Sequence, residues 1–565
     1  MNRYARVGVA LLLALALGPT WFAPVVASGP SASKLDPLLQ ARQGAPGRSR
    51  VIMRAGPGGI PLVLALVPAL GGRALRQLPL VGGVVLDLPN PALTALAANP
   101  HVVRLSMDRA IEGANDRTGA TIGSTAVRSR LGLDGSGVGI AIVDSGVMAS
   151  HDDLAGRVDR FVDFTSARTD PYDDFGHGTH VAGIVAGSGA DSSGARAGVA
   201  PNARLTILKV LDADGRGRIS DVIAALGYVV DHRAELHIRV VNLSVAAGVY
   251  ESCLTDPLTL AAREAAAAGV VVVAAAGNNG RGPQGQTQYA GITAPGNAPW
   301  VLTVGASSHM GTVERGDDTM AAFSSRGPTA VDAMAKPDLV APGVGTESLS
   351  DPFGRLYTTN AAALLPGTGT TPYLPYMSLS GTSMAAPVVS GTVALMLQAN
   401  PSLTPNAVKA ILQFTAQAYA GYDSLTQGAG FLNADGAVSL AAWFAAPATT
   451  PYPDASGWSR HLIWGSRMLD GPGLSPEIVP WTVSVTWGDA SLAGLAALPN
   501  IVWGALCGGA DCDTPWNARA VATTDETDGD TVVWGTNDNE TDGDTVVWGT
   551  SCSDPSCQPV VWSRQ

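Results

Sequence analysis

Apolar residues in the middle of this chain come in short, nearly unbroken runs. Residues 138–143, 204–210, 240–245, 270–276 and 301–304 are rich in Val, Ile, Leu and Ala, and each is of strand length. Ala-rich stretches with helical spacing, 221–231 and 257–268, lie between several of them. A strand that is apolar at every position must be covered on both faces, and strands alternating with helices build a parallel sheet. Residues 116–444 therefore read as one α/β domain, whose working residues are expected at the carboxyl ends of the strands.

The flanks are patterned differently. Residues 49–115 mix strand-like runs at 51–53, 83–88 and 102–105 with a helix-like stretch at 91–98, as a small α+β module would. Residues 28–48, rich in Ser, Pro, Gly and Arg, read as a leader or linker, and 445–456 as a second linker. From 457 to 565 Trp-Gly recurs, at Trp464, Trp487, Trp503, Trp534 and Trp548, with Trp562 in a related setting. The segment from Asp528 to Thr536 returns from Asp542 to Thr550, and a fixed internal period implies stacked short strands or hairpins. The Asp-Gly-Asp steps read as acidic turns, because their spacing is not that of an EF-hand. The Trp residues suit surface or glycan binding and a small core equally well.

Arg3 and Arg6 precede an apolar run at 7–17, and Val25-Val26-Ala27 offers a cleavage site, so residues 1–27 read as a secretory signal. The run falls short of the ~20 residues a membrane span needs, and no later segment reads as one. Export predicts a secreted, extracellular protein, with retention at the cell surface through the C-terminal extension compatible with that. The balance of 35 basic against 47 acidic residues argues against nucleic acid as a partner. Two cysteine pairs, Cys507/Cys512 and Cys552/Cys557, suit local disulfides in an exported protein better than zinc. Cys253 is left over and reads as a buried free thiol.

Four places carry candidate chemistry. Ser383 lies among small residues ahead of an apolar run, so a tight turn delivers its hydroxyl to the start of a buried helix. A helix cap would place a serine there equally well. Asp144 ends the strand at 138–143 and is followed by Ser145 and Gly146. An aspartic-protease dyad would need a second such carboxylate, and no second Asp-Ser/Thr-Gly occurs. His177-Gly178-Thr179-His180 opens a small-residue helix, but no third ligand of the zincin type follows. His177 therefore reads as a general base and His180 as a packing or hydrogen-bonding residue. The strand at 270–276 runs into Gly277-Asn278-Asn279-Gly280, an amide at a strand end or simply an Asn-Gly turn.

Together, Ile140-Ala141-Ile142-Val143-Asp144-Ser145-Gly146, His177-Gly178-Thr179-His180-Val181-Ala182-Gly183 and Gly381-Thr382-Ser383-Met384-Ala385-Ala386-Pro387 resemble the three signature segments of the subtilisin-like serine proteases, or subtilases. Their order, Asp then His then Ser, is the subtilisin order. The resemblance covers roughly residues 116–444. It implies an α/β, subtilisin-like three-layer fold with a mostly parallel central sheet, and a serine endopeptidase cutting proteins through an acyl-enzyme. Ser383 would be the nucleophile, His177 the base, Asp144 its orienter and Asn278 the oxyanion donor. The stretch from Asn242 to Gly248 resembles the strand that pairs with substrate, making Ser244, Val245 and Ala246 substrate-binding residues. Ala246 and Ala247 stand where the family commonly has paired glycines, and their methyl groups are expected to narrow the pocket wall. Residues 345–377 look longer than in compact subtilisins.

The same resemblance makes residues 49–115 an inhibitor-like prodomain, with 100–105 as its last strand and a cut within 111–121. The chain would then be a zymogen and a monomer whose partners are protein or peptide substrates and its own prodomain. No cofactor is required for the chemistry and no metal ligand is assigned, although structural calcium is expected of the family. The competing reading is a catalytically silent subtilase scaffold acting through C-terminal adhesion or glycan binding. Retention of Asp144, His177, Ser383 and Asn278 together weighs against silence.

Overall fold

The computed structural model describes residues 34–36, 39–40, 42–78, 82–107, 114–282, 286–464, 467–470, 474, 484–485, 501–502, 532–534 and 546–548. The expected signal at 1–27, both cysteine pairs, and Trp487, Trp503 and Trp562 lie outside these residues. The chain divides into two compact units, 1–111 and 112–565.

In the first unit, β1 (Arg48–Ala55), α1 (Gly59–Leu64), β2 (Arg73–Leu78), β3 (Gly83–Pro89), α2 (Ala92–Ala97) and β4 (Val102–Met107) follow one another. The strands form an antiparallel sheet in the order β2-β3-β1-β4. Alternation puts Val51 and Met53 of β1 and Leu86 and Leu88 of β3 in one core, with Val63 of α1 and Leu93 and Leu96 of α2. This module starts before residue 49. Leu35 bridges to Leu105, Leu39 is buried in the same core, and β1 itself begins at Arg48. Two isolated leucines in a polar stretch make no periodic pattern, which is why 28–48 reads as linker in the sequence.

The second unit opens with α3 (Ala114–Ile122) and α4 (Ser124–Leu131), then β5 (Gly139–Asp144), β6 (Val158–Asp163), α5 (His177–Ala186), β7 (Arg204–Lys209), α6 (Ile219–His232), β8 (Ile238–Leu243), α7 (Pro257–Ala267) and β9 (Val271–Ala275). It continues with β10 (Leu302–Ser308), β11 (Thr319–Met320), β12 (Leu339–Pro342), β13 (Thr346–Leu349), α8 (Arg355–Thr359), β14 (Leu364–Leu365), β15 (Tyr376–Leu379), α9 (Thr382–Ala399), α10 (Pro405–Thr415) and α11 (Ala434–Ala445). The main sheet runs β11-β10-β9-β8-β5-β7-β6, with β12 also paired to β10. All its pairs are parallel except β10–β11.

Both faces are covered, as the unbroken runs require. Ile140 and Ile142 of β5 pack into a layer with α5 and α9, while Ala141 and Val143 pack against α6 and α7. β9 divides in the same way, Val271 and Val273 to one layer and Val272 and Ala274 to the other. This is an α/β fold of three layers, as the unbroken strand runs imply. From β5 the chain builds outward to β6 and β7, then returns to build β8, β9 and β10 on the other side. A crevice opens at the carboxyl ends of the strands around such a reversal.

The unit does not stop at residue 444. Trp458 stands edge-on to Phe414 at 5.8 Å, Leu462 and Ile463 are buried, and the N–H groups of Ser459 and Arg460 donate to the carbonyls of Ala416 and Phe414. The start of the Trp-rich region is thus part of this core, because burial of Trp458 depends on α10, distant in sequence. Further on, β16 (His461–Trp464) and β17 (Arg467–Asp470) form a hairpin. Val532–Trp534 pairs in parallel with Val546–Trp548, setting Trp534 opposite Trp548. Among the described residues, the helix long and apolar enough to cross a membrane is α9, and 89% of it is buried inside the protein.

Candidate active site

Asp144 is the last residue of β5 and His177 the first of α5. Two glycines let these ends meet. A Cβ on Gly178 would sit 2.2 Å from the Gly146 carbonyl oxygen, and one on Gly146, at φ +119°, would sit 2.0 Å from that of Tyr172. Asp144 and His177 are both fully buried. His177 Nδ1–H donates to Asp144 Oδ1 at 2.7 Å, and the Ser145 N–H donates to the same oxygen at 2.7 Å. A carboxylate brings no proton, so Nδ1 carries one and Nε2 is the basic nitrogen.

Asp173 holds this arrangement in place, and sequence reading passed over it. Its Oδ1 accepts from Ser145 Oγ at 2.8 Å and the Gly176 N–H at 2.7 Å. Its Oδ2 accepts from the Thr179 N–H at 2.8 Å and Thr179 Oγ1 at 2.7 Å. Ser145 Oγ in turn accepts the Gly178 N–H at 2.8 Å. The carboxylate thus satisfies open N–H groups at the start of α5 while tying that helix to the end of β5. An acidic residue just before a helix start was the available signal. Lys209, also buried, donates to the carbonyls of Ser145 and Leu211 and to Asp174 Oδ1 at 2.6–2.7 Å. His180 is buried, and its Nε2–H donates to the Met377 carbonyl at 3.1 Å. Burial, and then the neighbouring His177, push its pKa down to about 3, so it stays neutral.

Ser383 is the second residue of α9, but it does not cap the helix. Gly381 occupies the cap position, and Ser383 Oγ–H donates to the Ser244 carbonyl at 2.9 Å. Ser244 Oγ–H donates back to the Ser383 carbonyl at 3.0 Å. Behind them Ser390 Oγ–H donates to Asn242 Oδ1, and Asn242 Nδ2 donates to Ser244 Oγ, both at 2.9 Å. A buried polar chain therefore joins the end of β8 to the start of α9. Val245 and Ala246 are buried in opposite layers of the fold. Ala247 exchanges both backbone hydrogen bonds with Ala294 at 2.9 Å.

The two asparagines after β9 separate clearly. Asn279 is turned away, its Nδ2 donating to the Gly291 carbonyl at 3.4 Å. Asn278 Oδ1 accepts from the Thr382 N–H at 3.1 Å and from Thr382 Oγ1 at 3.0 Å. With its oxygen anchored, the half-buried amide has its Nδ2 donors to offer, and these have no partner among the described residues.

Two further groups lie apart from these. His151, Asp153 and Asp191 bring ligand atoms within 4.8 Å of one another. Asp153 already accepts from the N–H groups of Asp191 and Gly189 and from Tyr376 Oη, at 2.8–3.1 Å. His151 Nε2–H donates to the Pro375 carbonyl. Calcium wants six to eight oxygen ligands, so a ring nitrogen and a saturated carboxylate fit it poorly. Cys253 is a buried free thiol, and burial, then the charge of Asp332, push its pKa up to about 12. A buried thiol held in its neutral form is a poor nucleophile and a poor ligand.

Comparison with known proteins finds the family model described as Subtilase family (peptidase S8) matching residues 135–437. The chain is similar to Serine protease AprX of Bacillus subtilis (strain 168), 38% identical over 356 residues, 62% of this chain and 77% of that one. The Extracellular serine proteinase of Thermus sp. (strain Rt41A) is 31% identical over 423 residues, covering 68% and 90%. Subtilisin E of Bacillus subtilis is 32% identical over 371 residues, covering 65% and 83%.

Proposed function

The chain belongs to the subtilase family and is a subtilisin-like serine endopeptidase, and from that premise we propose that Ser383, His177 and Asp144 carry out peptide hydrolysis through an acyl-enzyme. The observation that supports this reading is the buried 2.7 Å contact between His177 Nδ1 and Asp144 at the end of β5, with the Ser383 hydroxyl on the Ser244 carbonyl just past β8 and Asn278 just past the adjoining β9. A neutral hydroxyl is a weak nucleophile until a base takes its proton. In the resting chain that proton is held by the Ser244 carbonyl. Substrate backbone pairing along Ser244, Val245 and Ala246 would claim this carbonyl and release the hydroxyl to Nε2 of His177. His177 then returns the proton to the leaving amine, while Asp144 holds the tautomer and stabilises the imidazolium. The oxyanion receives Nδ2–H of Asn278 and the N–H of Ser383 at the start of α9.

We further propose that the chain is exported through residues 1–27 as a zymogen. The first unit, with its own sheet and core, would act as an inhibitory prodomain released by a cut within 111–121. Subtilases often bind calcium; here such an ion would stabilise the fold and take no part in bond cleavage. Casein hydrolysis by the full-length protein and by Ser383→Ala tests the central reading. The variant should lose about 10⁶-fold in kcat, the loss reported for the corresponding serine in subtilisin. It should also accumulate uncut chain. Equal hydrolysis by both, with no labelling of Ser383 by a serine-directed inhibitor, would falsify it.

A further inference from the structure

The motif-bearing segments do not account for all of the protein around the start of α5. β13, β14 and β15 form a separate antiparallel sheet in the order β13-β15-β14, and between β13 and β14 the chain makes a turn at 351–354 and then α8. This excursion packs on the segment leading into His177. The N–H groups of Arg355 and Leu356 donate to the carbonyls of Asp174 and Phe175 at 3.0 and 2.9 Å. A Cβ on Gly354 would lie 2.9 Å from Gly176 Cα, so glycine is what permits so close an approach, one residue from His177. Arg355 also pairs with Asp214, beside Gly215, and the Phe175 ring lies against Gly215. Three segments are thus joined around the head of α5.

Phe353, at the tip of this turn, is 83% exposed, the highest value of any large apolar side chain among the described residues. Its backbone is held: the Phe353 N–H donates to Asp351 Oδ1 at 2.9 Å and the Gly354 N–H to the Asp351 carbonyl at 3.0 Å. A phenyl ring held in water by an ordered turn gains free energy from anything apolar that covers it. Phe175, in the segment beneath, is 1% exposed and occupied with packing. Phe353 is the aromatic available to a ligand.

We propose that Phe353 is a specificity-determining residue that covers an apolar side chain of the peptide substrate within two residues of the cleaved bond. An extended peptide advances about 3.3 Å per residue, so a side chain two residues from the reacting carbonyl lies ~7 Å away. That matches a turn in van der Waals contact with the residue preceding His177. The proposal rests on the assignment of Ser383 and His177 as reacting groups. A contact with a static turn that is already complete in the bound substrate is uniform binding, and the proposal places it on KM.

The test compares wild type, Phe353→Ser, Phe353→Leu and Ser383→Ala on a peptide library varied at the two positions on each side of the cut. At one of these positions wild type should favour apolar residues. For those peptides Phe353→Ser should lose about tenfold in kcat/KM, carried by KM, and lose little where that position is Gly. Phe353→Leu should keep most of the preference. An unchanged profile in Phe353→Ser overturns the proposal, as does an equal loss on every peptide, which would mean only a packing role. Cutting by Ser383→Ala would instead sink the assignment of the nucleophile; Phe353 is judged on the ratio of wild type to Phe353→Ser alone.

Discussion

The two sides of the crevice are built on different terms. On the side of Asp144 and His177 the supporting hydrogen bonds are made before substrate arrives: Asp173 accepts four, Lys209 donates three, and the imidazole is held by Asp144. On the side of Ser383 and Asn278 bonding capacity is left open. The Ser383 hydroxyl rests on a carbonyl that substrate is proposed to claim, and the Asn278 amide is anchored by its oxygen with its nitrogen to spare. On the proposed reading proton transfer needs an imidazole of one tautomer and one orientation, and burial with the Asp144 and Asp173 hydrogen bonds supplies that. Groups that meet substrate must keep unspent donors, which is affordable only where water or substrate can reach them.

This contrast can be broken by mutation. Asp173→Ala should be the most damaging to folding, since it strands four donors in a buried setting; a loss on the order of 3–5 kcal/mol is expected, read from the denaturant midpoint. A variant as stable as wild type would show that the His177 side is not held as described. Asn278→Ala strands only the two Thr382 donors, so its midpoint should fall less than that of Asp173→Ala, while kcat drops by ~10²–10³, a magnitude that comes from the equivalent asparagine in subtilisin. If its loss appears in stability rather than in kcat, the amide is structural.

The smallest effect concerns the turn that carries Phe353. Burial, and then the nearby charge of Asp173, push the Asp351 carboxyl up to about 7 from 3.8. Its proton is bound more tightly in the folded chain. Stability from this group is therefore complete below about 3.8 and is lost as pH rises toward 7. Asp351→Asn keeps an acceptor for the Phe353 N–H but cannot ionise. It should raise the melting temperature modestly at pH 8 and hardly at all near pH 4. Equal shifts at both values would mean that ionisation of Asp351 is not the cause.

Much of the site was legible because it is built from short segments with strong local constraints. Asp144 ends a strand that is apolar on both faces, and His177 and Ser383 each open a helix of small residues, as the chain around them requires. After β9 the two asparagines take different partners, Asn278 the Thr382 N–H and Asn279 the Gly291 carbonyl. What was missed depends on partners far along the chain. Asp173 is unremarkable until Ser145 and Thr179 converge on it, and Leu35, Leu39 and Trp458 look like linker or tail residues until β4 and α10 bury them.

Sequence alone determined the α/β layering, the order of the signature segments and the family, since periodicity and short motifs are local properties that survive without coordinates. Only the tertiary structure decided which hydrogen bonds hold those residues, that Ser383 rests on Ser244 and is no helix cap, and that the turn carrying Phe353 lies one residue from His177. Those facts turn on distances between segments up to about two hundred residues apart, and no local pattern encodes them.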